Sequence, residues 1–230
     1  MSTTPSLETP PLDTLSVSDF MALDFIPVQA GNLRRGGFSE VGRILSDGKA
    51  YFLKRQHNMT RRTFRHPRRH PTYFFEWKFI ERLAGTGVTP HCVLYAEQRQ
   101  GGNVDAVLIT EELSGYRSLN EYHDAGEDMT SLMPALGRAL HAIHARRIRH
   151  GSVHGEHILA SPDGDVRLID FERCRRHWSA VRCALADLKQ LRKRSAWLGD
   201  SMMWQILSAY PDSMATRLAT ELNLPETSVS

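Results

Sequence analysis

The chain has 230 residues, of which 41% are hydrophobic and 24% are charged, and its formal net charge is +3 at pH 7. These values are those of an ordinary globular protein with one large domain or two small lobes. The three cysteines, Cys92, Cys174 and Cys183, contain no C-x-x-C pair, which indicates a reducing compartment and argues against a disulfide framework. No apolar run approaches the roughly 18 residues of a membrane span, and the N-terminal stretch lacks the apolar segment of a secretory signal. We therefore expect a cytoplasmic protein.

The first half of the sequence predicts a small sheet with one helix. Residues 1–16 are rich in Ser, Thr and Pro and predict a disordered tail. Residues 32–56 predict three successive strands, with a glycine turn and then an Asp47-Gly48 hairpin signal between them. The elements that follow are a helix over 72–85, which ends at a glycine, and two strands over 91–100 and 104–113.

The second half predicts helices around one short hairpin. Residues 130–148 read as a long amphipathic helix. Residues 157–171 read as a tight hairpin that turns at Asp163-Gly164, and residues 177–223 look helical, with interruptions at a glycine and a proline.

This order of elements predicts an α+β fold, because no βαβ alternation supports a doubly wound parallel sheet. We expect an N-lobe over 17–114, made of a sheet and a helix, and a helical C-lobe over 115–230, with the boundary near Gly115. Together they would form one protein-kinase-like domain of two lobes.

The chemistry-bearing residues come in the order used by protein kinases. That arrangement has a glycine-rich hairpin, a strand lysine for the phosphates, a helix glutamate that holds the lysine, a loop H-R-D-x-x-x-x-N and a metal-binding aspartate. Each feature alone is a weak signal, but the complete order is hard to obtain by accident. The matching positions are Gly36 and Gly37, Lys54, Glu76, the loop 150–159 with Ser152 and His157 in the places of its aspartate and asparagine, and Asp170.

Four segments resemble the bacterial lipopolysaccharide kinase (Kdo/WaaP) family, and most of all its acid-inducible InaA-type branch. The resemblance implies a Gram-negative protein, cytoplasmic or peripheral to the inner membrane, that uses ATP and Mg²⁺ or Mn²⁺ to phosphorylate a sugar of the lipopolysaccharide core. It implies nucleotide roles for Lys54 and Glu76 and metal roles for Asp170 and His157. The segments are 48–56, 71–90, 108–119 and 149–176.

Ser152 is the departure from this pattern, since sugar-kinase members keep an aspartate there. A positioned general base contributes about 10²–10⁴-fold to the rate, whereas metal and lysine electrostatics remain available without it. His154 and Glu156 are the nearby substitutes, and the sequence does not choose between them. Histidine at 157 also favours a single or softer metal ion, because magnesium prefers hard oxygen ligands.

Two other clusters allow competing interpretations. Five histidines fall within residues 141–157, which could indicate a zinc site, although no cysteine pair accompanies them. The segment 54–70 carries seven Lys/Arg between Lys54 and Arg69 and no acidic residue. It reads either as a solvated loop or as a dock for an anionic acceptor or the inner-membrane surface. Without aromatic interleaving or a recognition motif, no nucleic acid is expected.

The resemblance therefore implies a phosphotransferase with a sugar hydroxyl as acceptor, and Ser152 predicts that its activity is reduced. A kinase that phosphorylates serine in proteins is disfavoured, because no D-F-G glycine, A-P-E segment or long activation loop follows Asp170. The alternative is a pseudokinase or stress-response module that binds nucleotide without turnover.

Overall fold

The structure is a computed structural model that describes residues 8–34, 36–63 and 66–225. The chain divides into two compact units. The first runs up to Arg82 and includes Pro90–Ser114, and the second contains Leu83–Thr89 and the chain from Gly115 onward.

The first unit is built on an antiparallel sheet of six strands. Its path is β1-β3-β4-β8-β7, with β2 paired to β3. Asp47 and Gly48 turn the β3–β4 hairpin with φ values of 50° and 70°, as predicted. The strands are β1 (Ile26–Pro27), β2 (Asn32–Arg34), β3 (Gly37–Ser46), β4 (Lys49–His57), β7 (Cys92–Gln100) and β8 (Asn103–Glu111).

The N-terminal segment packs against this sheet. Helix α1 (Val17–Ala22) buries Phe20 in a cluster with residues of β3, β4 and β8. Leu12 joins the same cluster, and Thr9 donates through its backbone nitrogen and its hydroxyl to the carbonyl of Leu45. Residues 8–16 of the predicted tail are therefore held on the sheet, with Leu15 packed beside the same cluster and the carbonyl of Pro10 accepting from the hydroxyl of Ser46. Residues 1–7 of that predicted tail lie outside the described residues.

The part of the basic segment that follows β4 contains two paired strands, the basic hairpin, where the sequence indicated a solvated loop or a dock for an anionic partner. Strands β5 (Thr60–Thr63) and β6 (His66–Pro71) pair antiparallel and lead into helix α2 (Thr72–Leu83). The predicted helix over 72–85 is thus present and ends two residues earlier.

The second unit is mainly helical. Its short strands form two ladders, β10–β13 and β9–β11–β12. The helices are α3 (Leu119–Asp124), α4 (Met133–Ala145), α5 (Ala180–Arg194), α6 (Asp200–Leu207) and α7 (Asp212–Glu221), and the strands are β9 (Arg117–Ser118), β10 (Ile148–Arg149), β11 (Ile158–Ala160), β12 (Val166–Leu168) and β13 (Arg175–Arg176).

Helix α4 is the centre of this unit. It buries the predicted face, including Leu136, Leu140 and His144, and lies so close to α6 that a Cβ on Gly137 would stand 2.2 Å from the carbonyl oxygen of Ile206. The region predicted as helical over 177–223 is α5, α6 and α7. Across the described ranges, no helix combines the length and apolar character needed to cross a bilayer.

Candidate active site

Lys54 and Glu76 form an ion pair within the first unit. On β4, Leu53 points into the core and Lys54 to the opposite side, as the alternation of a strand requires. Its ammonium donates to Oε1 of Glu76 on α2 over 2.6 Å, with side-chain exposures of 17% and 3%. A carboxylate this buried requires a charged partner. The expected contact between these two residues is therefore present.

The second carboxylate oxygen of Glu76 has a different environment. Oε2 is buried, and no hydrogen-bond partner for it exists among the described residues. Leaving an acceptor in this state costs about 1–3 kcal/mol. Packing alone gives no reason to keep a glutamate between Phe75 and Trp77, so the pair is a candidate for function.

The two predicted glycines serve different purposes. Gly36 connects β2 to β3 with φ of 77°, and open space surrounds it where a Cβ would be. At Gly37, a Cβ would lie 2.5 Å from the carbonyl oxygen of His57, so glycine is needed for the close approach of β3 and β4. Gly37 thus has a structural explanation that Gly36 lacks.

In the second unit, the loop between β10 and β11 is held by a residue that sequence reasoning missed. Asp187, fully buried on α5, accepts from the backbone nitrogens of His150 and Gly151 over 2.7 and 2.9 Å. It also accepts from Nε2 of His144 over 3.1 Å. The signal was available, since Asp187 interrupts the apolar face formed by Cys183, Ala184, Leu188 and Leu191.

The buried contacts of Asp187 define its charge. Burial opposes ionisation, but the hydrogen bond from His144 and the nearby backbone N–H groups hold the pKa of Asp187 below its usual value. Because the carboxylate only accepts, Nε2 of His144 carries a proton, and Nδ1 shares a hydrogen bond of 2.8 Å with the hydroxyl of Tyr210. The loop is therefore anchored to a continuous polar chain from α5 to Tyr210.

Ser152, His157 and Asp170 lie together at the end of this loop. Nδ1 of His157 donates to the carbonyl oxygen of Ser152 over 2.8 Å and lies 3.4 Å from Oδ2 of Asp170. A carbonyl can only accept, so Nδ1 of His157 carries a proton. Asp170 adopts a left-handed conformation with φ of 63°, a strained state typical of functional positions.

The two predicted substitutes for the missing base occupy different environments. His154 is 6% exposed, its ring centroid is 3.8 Å from that of His157, and burial lowers its pKa to about 4. Glu156 is in a 3-10 turn just before β11, and 68% of its side chain is exposed. His154 is thus a weak base at neutral pH, whereas Glu156 remains accessible to solvent.

The histidine cluster does not form a multidentate centre. His144 is committed to Tyr210 and Asp187, and His150 is fully buried with its ring 4.7 Å from that of Phe171. Within the described part of the chain, no group of three or more His, Cys, Asp or Glu side chains is arranged to hold a metal ion.

Comparison with known proteins identifies the family. The model of the lipopolysaccharide kinase (Kdo/WaaP) family matches residues 18–210. The chain belongs to this family. It is 26% identical to Protein InaA of Escherichia coli (strain K12) over 176 residues, which are 72% of this chain and 82% of that protein.

Solved structures of WbdD share the fold of this Kdo/WaaP family member. One, described as a co-crystal structure with the kinase inhibitor LY294002, has a TM-score of 0.53 at 17% identity over 86% of this chain. Another, described as the bifunctional kinase-methyltransferase, has a TM-score of 0.50 at 16% identity over 81% of this chain. The chain spans less than half of those proteins, 46% and 43%. The α+β, kinase-like fold is therefore confirmed, and with the family it supports a kinase-type phosphotransferase.

The residues of this Kdo/WaaP protein fit a nucleotide and one divalent cation. Asp170 supplies a hard carboxylate that is 30% exposed. His157 would have to bind through Nε2, since its Nδ1 donates to Ser152, and such an oxygen–nitrogen donor set suits Mn²⁺ better than Mg²⁺. Two protein ligands leave room for phosphate oxygens and water, as is usual for metal–nucleotide complexes. Lys54, oriented by a buried carboxylate, fits a phosphate.

Proposed function

We propose that this protein is an ATP-dependent phosphotransferase that transfers phosphate to a sugar hydroxyl of the lipopolysaccharide core. The observation that carries the proposal is the buried Lys54–Glu76 ion pair, because neither packing nor stability requires it. In this proposal Lys54 contacts the phosphates, Glu76 orients it, and Gly36 leaves space near the nucleotide. Asp170 and His157 would hold the cation, which neutralises the charge of the phosphates when bound.

Ser152 sets the expected rate. Its side chain is 4% exposed and its hydroxyl has no carboxylate charge with which to attract the acceptor proton. We therefore expect slow turnover, with Glu156 as the more accessible of the two candidate bases. A pseudokinase that binds nucleotide without turnover is the second candidate, and the serine at position 152 is the observation in its favour.

Two measurements test these alternatives. Thermal-shift titrations with ATP and Mn²⁺ or Mg²⁺ should stabilise the wild-type chain, and Lys54→Met and Asp170→Ala should each abolish the shift. If ATP stabilises neither the wild type nor any variant, both candidates fail. Phosphate release and transfer to purified lipopolysaccharide core then separate enzyme from pseudokinase, with Asp170→Ala as the blank.

We also propose that the basic hairpin docks the chain on an anionic membrane surface close to its acceptor. Arg62, Arg68 and Arg69 are exposed, and no salt bridge engages them among the described residues. Each such charge near an anionic bilayer contributes about 1 kcal/mol. Arg61 contributes less, because its guanidinium stacks 4.1 Å from the ring centre of Phe75.

Co-sedimentation with phosphatidylglycerol vesicles tests the docking. Replacing the three exposed arginines of the hairpin by glutamate should remove binding at 0.1 M salt. The matched control replaces three exposed arginines elsewhere, Arg82, Arg138 and Arg146, by glutamate. Equal losses in both variants would reduce the effect to net charge and end the proposal.

A further inference from the structure

A cleft in the second unit is lined by an unusual concentration of positive charge. It has a volume of about 510 Å³ and lies where the β10–β13 ladder meets α5 and α7. Five of its side chains are cationic and one is a carboxylate, Glu221. The cations are Arg149, Arg175, Arg182, Lys189 and Arg217.

The local structure forces these charges together. Arg149 on β10 pairs directly with Arg175 on β13 in an antiparallel register, a like-charge arrangement that destabilises a ladder. On α5, Arg182 and Lys189 are seven residues apart, so they fall on the same helix face two turns apart. Neither arrangement is a consequence of core packing, because the arginine of β13 and both α5 cations are exposed.

Little inside the protein compensates this charge. Of the five cations, only Arg149 takes part in a salt bridge with a described residue, and its Nε is 3.6 Å from Oδ1 of Asp187. That Nε is buried and has no hydrogen bond among the described residues. An anion in the cleft would therefore have to meet the rest of the guanidinium, since 25% of the Arg149 side chain is exposed.

The wall of the cleft also has an uncharged side. Val181 and Leu185 of α5 line it between the cations. Next to it, Trp178 is 67% exposed, with the guanidinium of Arg182 lying 4.6 Å from the centre of its ring. The ligand that fits such a site has a multiply charged anionic group and can have an apolar face.

We propose that this cleft binds a phosphate-bearing ligand. Guanidinium groups match phosphate oxygens in bidentate geometry, and a dianion bridging Arg149 and Arg175 would convert their repulsion into attraction. The phosphate can be free or carried on a saccharide, whose ring could stack on Trp178. The proposal does not rest on the proposed function, because no residue of the cleft is assigned to the nucleotide or the cation.

Calorimetric titration of the whole chain with inorganic pyrophosphate tests the site. At 50 mM salt we expect saturable binding that weakens as salt increases. Arg182→Gln combined with Lys189→Gln removes two exposed cations of the cleft and should weaken binding about tenfold, since each lost charged contact is worth about 0.7 kcal/mol at an exposed site. A control with the same loss of charge, Arg138→Gln with Arg146→Gln, should change the affinity less than about twofold.

Further measurements show which site binds the anion and whether the phosphate is free or carried on a saccharide. Lys54→Met should keep the binding, which excludes the proposed nucleotide site as its location and makes the result independent of nucleotide binding. Tighter binding of glucose 6-phosphate than of phosphate, lost in Trp178→Ala, would identify a saccharide source, and equal binding would identify free phosphate. No saturable binding of any probe, equal weakening by the control pair, or binding to anionic vesicles alone would overturn the proposal.

Discussion

Asp187 offers the most direct test of how the catalytic-type loop is held. Replacing Asp187 by Ala removes the acceptor of three buried donors, the backbone nitrogens of His150 and Gly151 and Nε2 of His144. Each buried donor left without a partner costs about 1–3 kcal/mol, and the loss of one member of a buried charged network typically costs about 3–5 kcal/mol. We expect a loss of about 4 kcal/mol in the free energy of unfolding of the second unit.

Urea unfolding followed by tryptophan fluorescence measures this loss. Asp187→Asn keeps the shape and one acceptor oxygen but presents an NH₂ group to a backbone donor, so it should lose about 2–3 kcal/mol and still fold. Asp212→Asn is the matched control, because it removes an exposed carboxylate at the start of α7 and should cost less than about 1 kcal/mol. An Asp187→Ala protein within about 1 kcal/mol of wild type would refute the role assigned to Asp187.

The pH dependence provides an independent check of the same residue. The folded-state pKa of Asp187 lies below the usual value, so its contribution is present above the unfolded pKa of about 4 and is lost as the pH falls through the folded pKa. Titration of this carboxylate should therefore leave the stability unchanged as the pH varies around neutrality. The wild type should lose this contribution only in strong acid. The stability of Asp187→Asn should show no corresponding loss there, because its side chain does not titrate.

Three further predictions follow from buried or crowded positions. Burial lowers the pKa of His150 to about 4 in the folded chain, against about 6.5 when unfolded, so stability should fall by about 2–3 kcal/mol between pH 7.5 and 4.5. Urea unfolding at both pH values should show a smaller fall for His150→Phe, and an unchanged fall would contradict the assignment. Gly37→Ala should cost about 1–3 kcal/mol because its Cβ meets the carbonyl of β4 at 2.5 Å. Gly199→Ala, with open space and a negative φ, should cost less than about 0.5 kcal/mol in the same assay, and similar losses at both positions would contradict the steric argument. Ser152→Asp should increase phosphate transfer about 10²–10⁴-fold if the site is otherwise intact, and an unchanged rate in a chain that binds ATP would favour the pseudokinase.

Local signals were sufficient for the elements that carry the first half of the site. The Asp47-Gly48 turn and the alternation around Leu53 fix the register that aims Lys54 away from the core. A buried glutamate among aromatic residues on a helix needs a cationic partner, and the sequence pattern left open only which cationic residue this is. The contact between Lys54 and Glu76 could therefore be predicted, because strand parity and helix spacing are local properties.

Features made by chain segments far apart in sequence could not be predicted in this way. The anchor of the loop 150–159 is Asp187, whose partners come from α4 and from the two residues after β10, and none of these partners carries a local pattern that points to α5. The strands β10 and β13 have two residues each, too short for any period-two pattern, and their pairing is what brings Arg149 beside Arg175. Likewise the composition of residues 8–16 indicates a tail, although Leu12 and Leu15 pack on the sheet.

The position of Ser152 explains how its identity can vary without loss of the loop. The backbone on its N-terminal side is held by Asp187, and its own carbonyl oxygen accepts from His157. These anchors of the loop do not use the side chain at position 152. An aspartate there would supply chemistry and little structure, and its replacement leaves the anchors and Asp170 in their arrangement. Asp170 keeps a left-handed backbone with φ of 63°, and such strain persists only where the surrounding structure imposes it. The two facts together favour a site that still binds and has lost rate, and a Ser152→Asp chain that binds ATP no better than wild type but turns over faster is the outcome this reasoning requires.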